Sequence, residues 1–245
     1  MIFFRLVVHL FTQITRPRRL AGMMLLASVP GLVAWLTISN ARAGSGATAY
    51  MDAVTSVSGG TLSLAILVLA VAVMRDERDG GTLPFIFLSP IGRLGFAAAA
   101  WVAAAAAAVL TAVVGWLVGF VAVGAVAGDW AAALPVLPAY VIAALAYSSV
   151  FVPLGYLSSR ATLIGLGYVF VWEGILASFI PGLSSSSMWR LALSALADLT
   201  SLSPDASQFL GTVVPGLGGA VVKTAVVIAL GIGVLAWAVQ SRDAV

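Results

Sequence analysis

The sequence predicts an all-α polytopic membrane protein, and three observations support this fold class. Of the 245 residues, 62% are hydrophobic and only 9% are charged, and the mean hydropathy is +1.11. Soluble domains carry about 25% charged residues, so this chain has too few polar side chains to cover a soluble domain of its size. Apolar runs close to the ~20 residues needed to cross a bilayer recur along the chain. These runs are continuous rather than alternating, which favours helices over a β-barrel.

Residues 1–19 predict an amphipathic helix that lies in the membrane interface. On a helical wheel, one side of this helix is apolar and is formed by Phe3, Phe4, Val7, Phe11 and Ile14. The other side is polar and is formed by Arg5, His9, Thr12, Gln13 and Arg16. We expect Arg16, Arg18 and Arg19 to anchor this segment at the lipid headgroups. An ordinary basic flank without a specific role is the alternative. We expect His9 to be solvated or to contact headgroups.

Six membrane spans are predicted, at residues 20–38, 57–74, 94–126, 133–157, 162–181 and 219–239. The first run is longer than the apolar core of a signal peptide, so we expect it to be a retained span. The third contains Gly115-x-x-x-Gly119, a small face that allows close helix packing, either within the chain or along a dimer seam. No internal repeat or linker divides the chain, which predicts a single transmembrane domain over residues 1–245.

The distribution of Lys and Arg predicts the orientation, because cytoplasmic loops are enriched in these residues. With the N-terminus inside, nine of the twelve lie on the cytoplasmic side and three outside. Both termini are therefore expected in the cytoplasm. The long external segment 182–218 is too apolar for a free loop, and we expect short helices that re-enter the outer leaflet under a cover of protein.

The densest charge cluster lies between the second and third spans, in Arg75-Asp-Glu-Arg-Asp-Gly-Gly-Thr-Leu-Pro-Phe-Ile-Phe-Leu-Ser-Pro90. Gly80-Gly81 should end the helix that descends from the membrane. Thr82 can cap a short helix that presents Phe85, Phe87 and Leu88. An apolar helix on the water side needs a cover, either the membrane surface or a partner protein. The charges from Arg75 to Asp79 would then form a polar rim, or alternatively a solvated turn closed by its own ion pairs.

The pattern Glu77-x-x-x-Gly81-Thr82-Leu83, followed by Leu88-x-Pro90-x-x-Arg93, resembles the signature of type-two ABC transporter permeases. In that family the motif lies between the second and third of six spans, and the interfacial helix and the external segment also agree. Asp79 stands where the family often has a second glutamate, and Pro84 where a polar residue is more usual. The resemblance implies that residues 75–93 form a coupling helix that docks into a separate ATP-binding subunit.

The same resemblance implies the partners and the location of the protein. The chain has no G-x-x-x-x-G-K-[ST] loop, so ATP and Mg²⁺ are expected in the partner ATPase and no cofactor or metal in this chain. It would work with a second permease subunit, identical or different, in a prokaryotic cytoplasmic membrane. No nucleic-acid partner is expected. The small external part favours export, and an apolar path favours lipophilic or amphipathic cargo without identifying it.

Glu173 lies near the middle of the fifth predicted span. A carboxylate at that depth is costly, so it should face protein or a wet cavity. It could line the translocation path, or it could fix packing within the bundle with partners such as Tyr147, Ser148 and Ser149. The alternative function is a proton-coupled secondary transporter that uses Glu173. An intramembrane enzyme is disfavoured, because His9, the sole histidine, lies outside the spans and the sequence has no cysteine. We therefore assign no catalytic residue.

Overall fold

A computed structural model describes residues 2–40, 45–81, 92–177, 186–202, 204, 207, 210 and 215–242. All regular structure in these ranges is helical, which confirms the all-α prediction. The helices are α1 (Ile2–Ile14), α2 (Pro17–Ser39), α3 (Gly46–Asp79), α4 (Arg93–Ala127), α5 (Val136–Leu157), α6 (Ala161–Gly167), α7 (Met188–Leu199) and α8 (Gly216–Arg242). Helix α6 continues as a π-helix over Tyr168–Leu176, and the two together are called the α6 segment.

Five helices are long and apolar enough to cross a membrane: α2, α3, α4, α8 and the segment Ala131–Leu157, which joins a short 3₁₀ turn to α5. They match the first four predicted spans and the sixth. The fifth predicted span, 162–181, corresponds to the shorter apolar helix Ala161–Leu176, and residues 178–185 lie outside the described part of the chain. The six-span count therefore stays a prediction. Helix α3 has 34 residues, about 51 Å at 1.5 Å per residue, so it is longer than the ~30 Å hydrocarbon core.

The bundle is assembled around α3 and α5, whose spans are the most buried in the structure. Helices α2, α4 and α5 pack against α3, and α8 packs against α5. Two buried hydroxyls join the central pair, because Ser58 Oγ lies 2.6 Å from the hydroxyl oxygen of Tyr140. A polar bond of this kind in an apolar bundle fixes the relative positions of two helices.

Helices α2 and α4 approach closely through small residues. A Cβ atom added at Gly115 would lie 2.4 Å from the carbonyl oxygen of Ala27, and one added at Gly31 would lie 2.6 Å from the amide nitrogen of Gly119. Both distances are too short for real atoms, so glycine is required here. The Gly115-x-x-x-Gly119 face is thus used for packing within the chain, one of the two uses that the motif allows.

Helix α1 ends at Ile14, shortly before Pro17 begins α2. Its side chains Leu10 and Ile14 are fully buried, and the helix packs against α4 and α3. Phe4 is 70% exposed and Phe3 is 43% exposed. The predicted apolar side is therefore divided between the bundle and the outside, as expected for an amphipathic helix beside a membrane.

Helix α7 lies within the segment that is predicted to be external, and it has one strongly buried side, whose apolar members include Trp189, Leu191, Leu193 and Leu196. Their burial agrees with the expectation that this segment is too apolar for a free loop. Ser187 caps the helix by accepting a hydrogen bond from the Arg190 amide at 3.2 Å. At the other end, Asp198 accepts one from the Leu217 amide at 3.0 Å, so α7 is joined to the start of α8. Its depth in the membrane remains a prediction.

Candidate functional site

The charged end of α3 is the first candidate site. The helix continues through the charge cluster to Asp79, and Gly80-Gly81 ends it as predicted. Gly81 has φ of +66°, a conformation that favours glycine. Residues 82–91, which include the predicted coupling residues Thr82, Leu83, Phe85, Phe87, Leu88 and Pro90, lie outside the described residues. Arg93 is the first residue of α4, where the next span was expected to open.

Glu77 was expected to be part of an exposed polar rim. Its side chain is instead fully buried. Its carboxylate oxygen Oε1 lies 3.4 Å from Nε2 of His9 on α1, whose side chain is 60% exposed. His9 is thus largely exposed, in keeping with the expectation that it is solvated, and it also contacts a buried carboxylate, which the sequence did not indicate. The reason is that α1 packs across the end of α3 and turns the polar side of its helix toward that buried carboxylate.

Asp76 also faces inward. It accepts two hydrogen bonds from the Arg19 guanidinium, at 2.7 and 3.3 Å. Arg19 was expected to meet headgroups, but it binds α2 to α3 in a bidentate pair. Arg16 and Arg18 are exposed, and their contact with headgroups stays a prediction.

Two other charges of the cluster are exposed. Arg75 and Asp79 are more than half exposed and pair with each other at 3.4 Å, one helical turn apart. The cluster is thus divided into a buried half held by α1 and α2 and an exposed half that closes its own ion pair. A cavity of about 420 Å³ adjoins it, and its lining includes Arg19, Arg75, Asp76, Asp79 and Thr162.

Glu173 is the second candidate site, and it lies in the π-helical part of the α6 segment. Its carboxylate accepts hydrogen bonds from the hydroxyl of Tyr147, from the hydroxyl of Tyr168 at 3.1 Å and from the amide of Met188 at 2.8 Å. The amide of Trp189 faces it as well. Donors that converge on a carboxylate offset part of the cost of burying it, and the two amides belong to the N-terminus of α7.

Of the partners proposed from sequence, only Tyr147 reaches Glu173. Ser148 and Ser149 donate to the carbonyl groups of Ala144 and Leu145 in their own helix, at 2.7 and 2.8 Å. Tyr168 and the start of α7 were missed. The carboxylate therefore fixes the packing of α5, α6 and α7, which is one of the two roles considered for it.

Glu173 also borders a cavity of about 190 Å³ between α3, α6 and α7. The lining combines hydroxyls, glycines, apolar walls and one cation: Thr55, Ser56, Gly59, Gly60, Val169, Phe170, Glu173, Gly174, Ser187, Trp189 and Arg190. Burial lowers the pKa of the Arg190 guanidinium and the Glu173 charge opposes this shift. An arginine keeps its charge at neutral pH in such surroundings.

The described residues contain no group of three or more His, Asp or Glu side chains that could hold a metal ion. The two candidate sites are therefore built from ion pairs, hydrogen bonds and a small cavity.

Comparison with known proteins identifies the class of membrane protein. No curated protein matches the sequence significantly. A family model described as ABC-2 family transporter protein matches residues 16–180, about two-thirds of the chain and the region from α2 to the α6 segment. The charged end of α3, its pairing with α2 and the Glu173 network all involve this region. The chain belongs to the ABC-2 transporter family.

Proposed function

We propose that this chain is the membrane-spanning half of an ATP-driven exporter, and that residues 75–93 couple it to a separate ATP-binding subunit. The observation that carries the proposal is the anchored end of α3. Glu77 is buried beside His9 of α1, and Asp76 is paired with Arg19 of α2. A displacement applied to the segment that follows Gly81 would therefore reach three helices together.

The proposal assigns ATP and Mg²⁺ to the partner, because the sequence has no phosphate-binding loop of the G-x-x-x-x-G-K-[ST] type. The segment from Thr82 to Pro90 would present Phe85, Phe87 and Leu88 as apolar anchors. The exposed pair of Arg75 and Asp79 would orient the docking surface, since charges at the rim of an interface set orientation and association rate. Glu77, which is buried beside His9, would hold the end of α3 in position behind this docking surface.

A second permease subunit, identical or different, would complete the translocation path. The exposed apolar side chains of α2, α6 and α8 require lipid or such a subunit as cover; they include Leu25, Leu36, Leu163, Val222 and Trp237. The distribution of Lys and Arg supports a topology with both termini inside, and membership of the ABC-2 family favours a prokaryotic cytoplasmic membrane. Export is favoured over uptake because the segments of this sequence that are predicted to be external are small.

Affinity purification from native membranes in mild detergent tests the coupling. Wild-type protein should bring down an ATPase with a phosphate-binding loop, and Phe87→Asp should lose it, because a charge in an apolar anchor pocket costs several kcal/mol. Ser241→Asp, on the same predicted side of the membrane, is the matched control and should retain the ATPase. Absence of any such ATPase from the wild-type sample would overturn the proposal.

A further inference from the structure

The second half of the α6 segment has an uncommon backbone. Tyr168–Leu176 forms a π-helix of nine residues, whereas this geometry occurs mostly as a single turn inserted into an α-helix, frequently at functional sites. The residues before it, Ala161–Gly167, are regular α-helix. A rare backbone geometry persists where the surrounding contacts over-determine it. The contacts of this segment should therefore explain why it does not continue as an α-helix.

Glu173 makes a contact that depends on the π-helix. The hydroxyl of Tyr168, five positions earlier, donates to the Glu173 carboxylate at 3.1 Å. Residues five apart are neighbours in a π-helix, but they lie about 140° apart around an α-helix. Tyr147 of α5 donates to the same carboxylate. A change to the α-helical register would separate Glu173 from Tyr168, so this bond stabilises the π-helix.

Phe151 of α5 holds both tyrosine rings. Its side chain is fully buried. Its ring stacks on Tyr147 with 5.6 Å between the ring centroids, and it meets Tyr168 edge-on at 5.9 Å. Both arrangements are favourable for aromatic pairs. The two hydroxyls that reach Glu173 are therefore positioned against α5.

The π-helix also holds the beginning of α7. Glu173 accepts a hydrogen bond from the Met188 amide at 2.8 Å, and the Trp172 indole N–H donates to the Ser186 hydroxyl at 3.2 Å. The other end of α7 is held separately, because Asp198 accepts a hydrogen bond from the start of α8. Loss of the π-helix would therefore release the first turn of α7 while its last turn stays attached.

We propose that the π-helix is a latch with two registers, and that Glu173 is the positioning residue that keeps it closed. In the closed register α7 lies over the cavity of about 190 Å³, whose lining includes Trp189 from α7 and Thr55 from α3. When the bonds of Glu173 are lost, the segment takes the α-helical register, the first turn of α7 moves away and the cavity opens. The inference concerns this chain alone and does not depend on coupling to an ATPase.

The register is measured with pairs of nitroxide labels on cysteines introduced into the full chain, whose sequence has no cysteine of its own. Phe170 and Ile175 are five positions apart, Val171 and Ile175 are four apart, and all three are about half exposed. Dipolar broadening of the electron paramagnetic resonance spectrum in mild detergent shows which pair is closer. We expect the five-apart pair to be closer in the otherwise unchanged chain and the four-apart pair to be closer in Glu173→Ala. Failure of either expectation would overturn the inference.

Helix α8 supplies the matched control pairs. Val221 and Val226 are five positions apart, Val222 and Val226 are four apart, and all three are more than half exposed on a regular α-helix. There the four-apart pair should be closer in every variant. This result also shows that the bundle of each variant is folded.

A second variant tests the latch without removing the carboxylate. Tyr147→Phe combined with Tyr168→Phe removes the two hydroxyls and keeps both rings against Phe151. It should reverse the order of the two distances as Glu173→Ala does, and it supplies the test if Glu173→Ala does not fold. Retention of the original order in this folded variant would overturn the inference.

Opening of the cavity is measured separately, by the rate at which a water-soluble maleimide modifies Thr55→Cys. Thr55 lines the cavity and is 2% exposed, so Glu173→Ala should raise this rate several-fold. Thr111→Cys on α4 is the control, because both threonines are buried and donate to a carbonyl one turn earlier in their own helix. A change of register without faster modification of Thr55→Cys, or an equal rise for Thr111→Cys, would show that α7 is not held by the latch and would overturn the inference.

Discussion

His9 and Glu77, which lie 68 positions apart in the sequence, meet where α1 packs across the end of α3. The imidazole Nε2 is 3.4 Å from the carboxylate oxygen Oε1, and the carboxylate is completely buried while the imidazole is 60% exposed. A buried carboxylate needs a compensating group. This contact therefore links α1 to the segment through which an ATPase would act.

Replacing His9 by alanine should loosen this link. We expect His9→Ala to lower the free energy of unfolding by about 1 kcal/mol, since the exposed imidazole makes the pair a weak one, and to reduce transport per ATP hydrolysed. Thermal unfolding in detergent and a vesicle transport assay measure the two effects. Thr12→Ala, on the exposed side of the same helix, is the control. Equal behaviour of the two variants would contradict a coupling role for His9.

The pair between Arg19 and Asp76 should show the energetics of a bidentate contact. In a double-mutant cycle of Arg19→Gln and Asp76→Asn, we expect a coupling free energy of about 1 kcal/mol, because both side chains are partly buried. Chemical or thermal unfolding supplies the four stabilities. Arg18→Gln should change stability little, because Arg18 is exposed. A coupling free energy near zero would show that the pair contributes only to orientation.

The sequence predicts local features of this protein well and distant pairings poorly. Gly80-Gly81 ends α3 where expected, because helix termination depends on adjacent residues. The apolar pattern from Trp189 to Leu196 likewise predicts a buried segment. A helical wheel, however, shows which side of α1 is polar without showing what that side will meet. The contacts of His9 with Glu77 and of Arg19 with Asp76 depend on how α1, α2 and α3 pack, so no local pattern indicates them.

The partners of Glu173 illustrate a second limit. Tyr168 and Glu173 are five positions apart, which places them about 140° apart around a regular α-helix. In the π-helix that contains them, positions five apart are brought together, and the Tyr168 hydroxyl reaches the carboxylate. Periodicity of 3.6 residues therefore predicts the wrong neighbours. The amide donors at the start of α7 come from beyond the span and leave no signal in the side-chain pattern.

Removal of the Glu173 carboxylate should destabilise the contact between α6 and α7. We expect Glu173→Ala to lower the free energy of unfolding by about 3 kcal/mol, because several buried donors lose their acceptor at once. Tyr168→Phe removes a single bond and should cost about 1 kcal/mol. Thermal unfolding in detergent measures both effects. Ser148→Ala is the control, since that hydroxyl bonds only its own helix. A similar stability for Glu173→Ala and Ser148→Ala would refute the packing role.

The close contact of α2 and α4 gives the sharpest steric prediction. Gly115→Ala should destabilise the bundle by about 2 kcal/mol or more, because the new methyl group would lie 2.4 Å from the Ala27 carbonyl and the two backbones would have to separate. Gly22→Ala on α2 is matched to it, since nothing lies within 4 Å of the added atom. That change should be neutral or stabilise slightly, by up to ~1 kcal/mol, through helix propensity. Thermal unfolding of both variants decides the point: if Gly115→Ala is as stable as Gly22→Ala, the two helices are not held at this distance.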